Sequence, residues 1–182
     1  MITLASASPQ RRAILEMLGL DFRVVVPEVE ELTEGEPAAV VVENALRKAR
    51  AVDGDPVLAA DTEVVLDGRV FGKAADEAEA QEFLEILRGR THEVWGGLAV
   101  REGGRELTAH AVTRVTFRDF DVAWYIATGE WRGRAGAYAI QGKGTLLVER
   151  VEGDYWNVVG LPLAELARVA PELVFRASER QR

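Results

Sequence analysis

The sequence predicts an α/β fold built on a mixed sheet. Short apolar runs with strand character, such as Ile2 to Ala5 and Val57 to Leu66, alternate with segments whose apolar residues recur at helical spacing. Some strands are separated by tight turns, Asp67-Gly68 above all, which implies hairpins within the sheet. No internal repeat, low-complexity linker or break in composition divides the 182 residues, so one domain over residues 1–182 is expected.

Taken in order, Ile2 to Ala5 reads as a short buried strand. Ser8-Pro9 reads as an N-cap followed by proline at the first helical position, opening a helix to about Leu18 that Gly19 ends. Phe22 to Val26 is a second strand. Glu36 to Val52 is the clearest amphipathic helix, with Ala38, Val41, Val42, Ala45, Ala49 and Val52 at helical spacing and Gly54 just beyond. Val57 to Leu66 is a strand, turned by Asp67-Gly68 into a partner ending near Phe71. Asp76 caps a helix whose apolar face includes Ala80, Phe83, Leu84 and Leu87.

Two longer strands are expected around His92 to Arg101 and Glu106 to Phe117, joined across Gly103-Gly104. Val122 to Thr128 reads as a helix. Tyr138 to Ile140, Thr145 to Val151 and Tyr155 to Val159 read as strands, with a turn at Glu152-Gly153-Asp154. Pro162 starts the last helix.

Composition narrows the chemistry. The 48% hydrophobic and 29% charged fractions are those of an ordinary globular chain, and no apolar run reaches the length of a bilayer span. In the opening MITLASASPQRR the apolar stretch is short and basic residues follow it, unlike a signal peptide. A cytoplasmic protein without a membrane partner is expected. Absence of cysteine excludes disulfides, thiolate metal sites and thiol nucleophiles. With His92 and His110 as its histidines, the chain is also a poor candidate for a histidine-rich zinc site. A metal would be held by carboxylates and ligand phosphates, which suits Mg²⁺ or Mn²⁺. The net charge of −8 and the dispersed basic residues argue against nucleic acid as the main partner. They leave room for a small polyphosphate, which needs only a local cluster of cations.

Four segments are polar or glycine-rich at the ends of elements, where ligand sites usually lie. Ser6-Ala7-Ser8-Pro9-Gln10-Arg11-Arg12 combines hydroxyls, free backbone N–H groups at a helix start and two arginines, a good anion site. A capped helix with solvated arginines would look the same. In Ala59-Ala60-Asp61-Thr62-Glu63, an acidic patch interrupts an apolar strand. A partly buried Asp61 needs a metal, a lysine or a water it can deprotonate, or else bonds to local backbone. Lys48 and Lys73 are scarce cations in a chain that otherwise uses arginine, and a compact ammonium can stabilise charge on a leaving phosphate. Both also fit plain surface positions.

The fourth segment runs from Gly133 to Gly144. It invites a phosphate-binding P-loop reading, which fails, because five residues rather than four separate Gly136 from Gly142. Gly144 also stands where Ser or Thr should hold magnesium. The segment reads instead as a close backbone approach that leaves Gln141 exposed to a base edge, or as a glycine-lined turn with no ligand.

The order of these segments resembles the Maf family. The resemblance is carried by Ala5 to Arg12, Glu30-Glu31, Asn44-Ala45-Leu46-Arg47-Lys48-Ala49, Ala60-Asp61-Thr62, Gly72-Lys73, Gly89 to Val94, Ala135 to Gly142 and Gly160-Leu161-Pro162-Leu163. It runs from about residue 2 to residue 170. It implies a fold like that of the inosine triphosphate pyrophosphatases, with an elongated mixed sheet flanked by helices and two lobes around a nucleotide cleft. It also implies metal-dependent hydrolysis of a nucleoside triphosphate to the monophosphate and pyrophosphate, and a homodimer.

Carried over by position, Asp61 is the general base that activates water. Ser8, Arg11, Lys48 and Lys73 hold and neutralise the triphosphate, and Glu31 and Asp61 are the expected metal ligands. Gln10, Thr62 and Gln141 fall at three positions that resemble specificity markers. Thr62 and Gln141, with Glu152-Gly153-Asp154-Tyr155-Trp156, resemble the branch acting on dTTP and UTP. The branch acting on 7-methyl-GTP tends to carry Gln and Glu at the places of Thr62 and Gln141. Gln10 departs from the dTTP/UTP branch, which usually has Arg there, and Ala74 stands where the family usually has Pro. The family's association with septum inhibition leaves a nucleotide-binding regulator without turnover as an alternative.

Overall fold

The structure is a computed structural model that describes residues 1–175. The last stretch of the domain expected over residues 1–182, residues 176–182, lies outside the described residues. The elements are β1 (Ile2–Ala5), α1 (Pro9–Met17), β2 (Phe22–Val25), α2 (Pro37–Arg50), β3 (Val57–Leu66), β4 (Arg69–Phe71), α3 (Glu77–Leu87), β5 (Thr91–Glu102) and β6 (Arg105–Phe117). They continue with α4 (Val122–Ala127), a 3-10 helix (Gly142–Leu147), β7 (Val148–Glu152), α5 (Tyr155–Val159), α6 (Leu163–Val169) and α7 (Pro171–Phe175).

One mixed sheet runs in the order β2-β1-β3-β5-β6-β7, with β4 beside β3. β1 pairs in parallel with β2 and with β3, whereas β4 is antiparallel to β3 and β7 to β6. The mixed α/β architecture read from the sequence is the one observed. Among the described residues, no helix is long and apolar enough to cross a membrane.

The chain divides into two compact units, and the division falls within β3, β5 and β6. Unit 1 comprises Met1–Asp61, Gly96–Ala111 and, of the described residues, the stretch from Gly160 to Phe175. Its core includes Ala5, Ala45, Ala49, Val57, Ala59 and Ala99, small side chains that let α2 lie close on the sheet. A Cβ added at Gly97 of β5 would come within 2.0 Å of the Val41 carbonyl oxygen of α2, so this approach needs glycine. Unit 2 comprises Thr62–Trp95 and Val112–Val159, around an aromatic core with Phe71, Phe83, Phe117, Tyr125 and Tyr138. Phe71 and Phe83 meet edge to face at 5.2 Å.

Three strand expectations change. Tyr138 to Ile140 is an irregular segment, and the Ala139 N–H donates to the Tyr125 hydroxyl at 3.0 Å rather than to a strand. Burial of Tyr138 and Ile140 in the unit 2 core, not pleating, explains their apolar character. Thr145 to Val151 becomes a strand only at Val148, because the 3-10 helix occupies Gly142–Leu147. Tyr155–Val159 is helical despite its aromatic and β-branched residues. Asp154 starts the turn by accepting the Trp156 N–H at 2.8 Å, and buried Asn157 donates to the Val94 carbonyl at 2.9 Å. Local propensity favoured a strand, and tertiary hydrogen bonds decided otherwise.

Candidate active site

Three elements of unit 1 assemble the first candidate residues: the start of α1, helix α2 and the first half of β3. Ser8 is the N-cap of α1 and Pro9 its first residue, as the sequence implies. The Ser8 hydroxyl accepts the Arg11 N–H at 3.4 Å and donates to Gln10 at 3.0 Å. Helix phase separates the two arginines. Arg12 is solvated and paired with Glu16, whereas Arg11 is buried, its Nε donating to the Gly160 carbonyl at 2.8 Å and its Nη1 to the Ser6 hydroxyl at 3.2 Å. Burial lowers the Arg11 pKa, against the opposing charges of Asp61 and Glu31.

α2 buries a stripe of Val40, Val41, Asn44, Ala45, Lys48 and Ala49. The two polar members sit four residues apart on one face, so both side chains aim the same way. They converge on Asp61, midway along β3 and the last of its buried run from Val57. Lys48 Nζ donates to Asp61 Oδ1 at 2.6 Å, and Asn44 Nδ2 donates to Oδ2 at 3.1 Å. The same Nζ reaches Glu31 Oε1 at 3.1 Å, with the Glu31 side chain 47% exposed.

Burial by itself would raise the Asp61 pKa. The charge and hydrogen bond of Lys48, the charge of Arg11 and the Asn44 amide together outweigh it and hold the carboxyl below its ordinary 3.8. Asp61 is therefore an anion at neutral pH, and each of its oxygens keeps a lone pair beyond the bonds described.

The remaining candidates belong to unit 2. Thr62 follows Asp61 on β3 and is half-buried. Lys73 is exposed beyond β4, in a bridge with Ala135, and the Gly136 N–H donates to Phe71 and Gly72 carbonyls at 2.8 and 3.1 Å. Gln141 is exposed at the N-cap of the 3-10 helix. Its turn is pinned from below: the Glu130 carboxylate accepts the N–H groups of Lys143 and Gly144, each at 3.1 Å. A Cβ at Gly144 would lie 1.8 Å from the Ala139 carbonyl oxygen. Glycine is needed here for a tight backbone turn rather than for a phosphate cradle, in keeping with the failed P-loop spacing.

In the sequence, Ser6 entered only as one hydroxyl of the anion-site segment and Asn44 only as part of a family motif, while Glu130 had no assigned part. A signal for Asn44 existed, since it is an amide inside the apolar stripe of α2, one turn before Lys48. Glu130 carries no such signal, because its partners are backbone groups more than ten residues away.

Asp61 and Glu31 are hard oxygen donors that meet at one ammonium, a set suited to Mg²⁺ or Mn²⁺ held jointly with phosphate oxygens. Among the described residues no group of three or more His, Cys, Asp or Glu side chains could hold a metal ion without such help.

The family model for Maf-like protein matches residues 1–173. Relatives named dTTP/UTP pyrophosphatase include one from Symbiobacterium thermophilum, 48% identical over 89% of this chain and 88% of that relative. Another, from Thermococcus gammatolerans, is 48% identical over 90% and 91% of the two chains, and one from Bacillus cytotoxicus is 45% identical over 91% of each. Among solved structures, the Staphylococcus aureus Ham1 protein is similar at a TM-score of 0.48 and 14% identity, covering 99% of this chain and 96% of its own.

Proposed function

The chain belongs to the Maf-like protein family, and from that premise we propose that it hydrolyses dTTP and UTP to the monophosphate and pyrophosphate. The observation that carries this reading is the buried Asp61–Lys48 pair, with Glu31 on the same ammonium and the charge of Arg11 acting on both carboxylates.

Phosphoryl transfer depends chiefly on positioning and on stabilising charge at the phosphate oxygens. Arg11, the Ser8 hydroxyl and the N-terminus of α1 bind triphosphate oxygens, since Arg11 is anchored by Gly160 and Ser6 before any ligand arrives. Asp61 takes the proton of the attacking water on a lone pair not used by Lys48 or Asn44. The new O–P bond forms as the α–β bridging P–O bond breaks, and pyrophosphate leaves with the bonding electrons. Lys48 and Lys73 offset the negative charge that builds on the departing oxygens. A Mg²⁺ or Mn²⁺ ion held by Asp61, Glu31 and substrate phosphates supplies further charge neutralisation when bound. Gln141, Thr62 and Gln10 read the nucleobase and its surroundings; an amide both donates and accepts, which matches a uracil or thymine edge. We further place the enzyme in the cytoplasm, as a homodimer.

Purified protein with Mg²⁺ or Mn²⁺ should release pyrophosphate from dTTP and UTP, lose the activity with a chelator, and lose it again in Asp61→Asn. Equal background rates for wild type and Asp61→Asn across a panel of nucleotides would refute the reading. Light scattering on the eluted protein tests the dimer.

A further inference from the structure

The segment between β2 and α2 carries Glu31 yet contains no strand or helix before the turn into α2. Its backbone polar groups must therefore find partners elsewhere. Two side chains of α2 supply them, and a third holds the Glu31 carboxylate. Arg47 Nη1 donates to the Glu30 carbonyl at 2.9 Å, Lys48 pairs with the Glu31 carboxylate, and Asn44 takes both backbone groups of Leu32.

The Asn44 contact has the form of a peptide pairing with a peptide. The Leu32 N–H donates to Asn44 Oδ1 at 2.7 Å, while Asn44 Nδ2 donates to the Leu32 carbonyl at 3.0 Å. A backbone N–H can only donate and a carbonyl can only accept, so this pairing fixes which end of the amide is oxygen. The second Nδ2 proton is then committed to Asp61 Oδ2, at 3.1 Å. Asn44 is 1% exposed, which leaves no solvent to take over either role.

We propose that Asn44 is a positioning residue, a strut that holds the Glu31 segment and the Asp61 carboxylate in one fixed relation; this rests on the hydrolysis proposed above. Lys48 holds Oδ1 and Asn44 holds Oδ2, so the plane of the Asp61 carboxylate is set by two donors from a single helix face. The same amide fixes Leu32, and with it the residue before, Glu31. No other residue type offers one acceptor and two donors in this short planar form.

The test uses the full chain with Asn44→Asp and Asn44→Ala. Asn44→Asp keeps the volume and the acceptor for Leu32 but removes both donated bonds. Both variants should retain a cooperative melting transition and lose about 10- to 100-fold in kcat for dTTP, with KM changed far less. A side chain that only fills space would leave the kcat of the folded Asn44→Asp protein at the wild-type value, and that result overturns the proposal.

Should the variants not fold, wild-type protein labelled with ¹⁵N-asparagine decides the matter, because Asn44 and Asn157 are the asparagines of the chain. The side-chain amide pair of Asn44 should shift in Asp61→Ala, which adds no asparagine, while that of Asn157 stays in place; an unmoved Asn44 pair overturns the strut. Wild-type protein that releases no pyrophosphate refutes the proposed hydrolysis, whereas active wild type with unaltered Asn44 variants refutes this inference alone.

Discussion

Lys48 donates a 2.6 Å hydrogen bond to Asp61, and each of the two side chains is only 8% exposed. Each charge offsets most of the desolvation of the other, with Glu31 and Arg11 as the further opposite charges nearby. Replacing Lys48 with methionine strands a buried carboxylate, and the expected loss is about 3 to 5 kcal/mol of stability in urea unfolding. The double variant with Asp61→Asn should recover much of that loss, because it removes the stranded charge, yet stay inactive. Additive losses in the double variant would mean that the pair is not coupled.

The same pair sets a pH dependence. Asp61 is held below its ordinary 3.8, so the stability it contributes is complete above that value and fades as pH falls through its lower folded-state pKa. The free enzyme should accordingly show no acid limb from Asp61 in kcat/KM between pH 5 and 8. Asp61 should titrate at a higher pH in Lys48→Met, where burial acts unopposed by that ammonium. NMR titration of the Asp61 carboxyl in both proteins checks the shift.

His92 gives a second pH effect, of opposite origin. Burial pushes it from 6.5 down to about 4, and its Nε2 lies 2.9 Å from the Tyr138 hydroxyl. The unfolded chain takes up this proton more readily than the folded one. Stability therefore declines as pH drops from 6.5 to about 4, by about 3 kcal/mol from this group, and levels off below. Urea midpoints across that range should fall for wild type and fall markedly less for His92→Gln.

Arg11→Lys should raise the KM for dTTP about tenfold while the protein remains folded. One ammonium cannot reproduce both the Gly160 and the Ser6 anchors and still face the triphosphate as a planar fork. Steady-state kinetics across dTTP concentrations measures it, and an unchanged KM would take Arg11 out of the triphosphate site.

Gln141→Glu should lower turnover of dTTP and UTP relative to a guanine nucleotide by about tenfold, the worth of one hydrogen bond. Because Glu130 pins the turn from the backbone side and Gln141 is exposed, stability should change by no more than about 0.5 kcal/mol. Parallel kinetics and melting curves separate the two effects.

Much of the fold was legible because burial and period coincided. Val57 to Leu66 emerged as one strand with those bounds, Asp76 capped α3, and Ser8-Pro9 opened α1. Asp61 and Lys48 were legible as a carboxylate interrupting an apolar strand and a scarce lysine on an amphipathic helix. The sequence by itself determined which residue types carry the chemistry, since cysteine is absent and hard oxygen donors and cations remain. Tertiary structure decided that Tyr155–Val159 coils into a helix and that Tyr138 to Ile140 forms no strand. It also decided that Arg11 rather than Arg12 is buried, and that Asn44 joins Asp61 to Leu32. Periodicity reports which face of a segment avoids water. It carries no record of a single hydrogen bond between residues seventeen positions apart, such as Asn44 to Asp61, and such bonds set the geometry of the site.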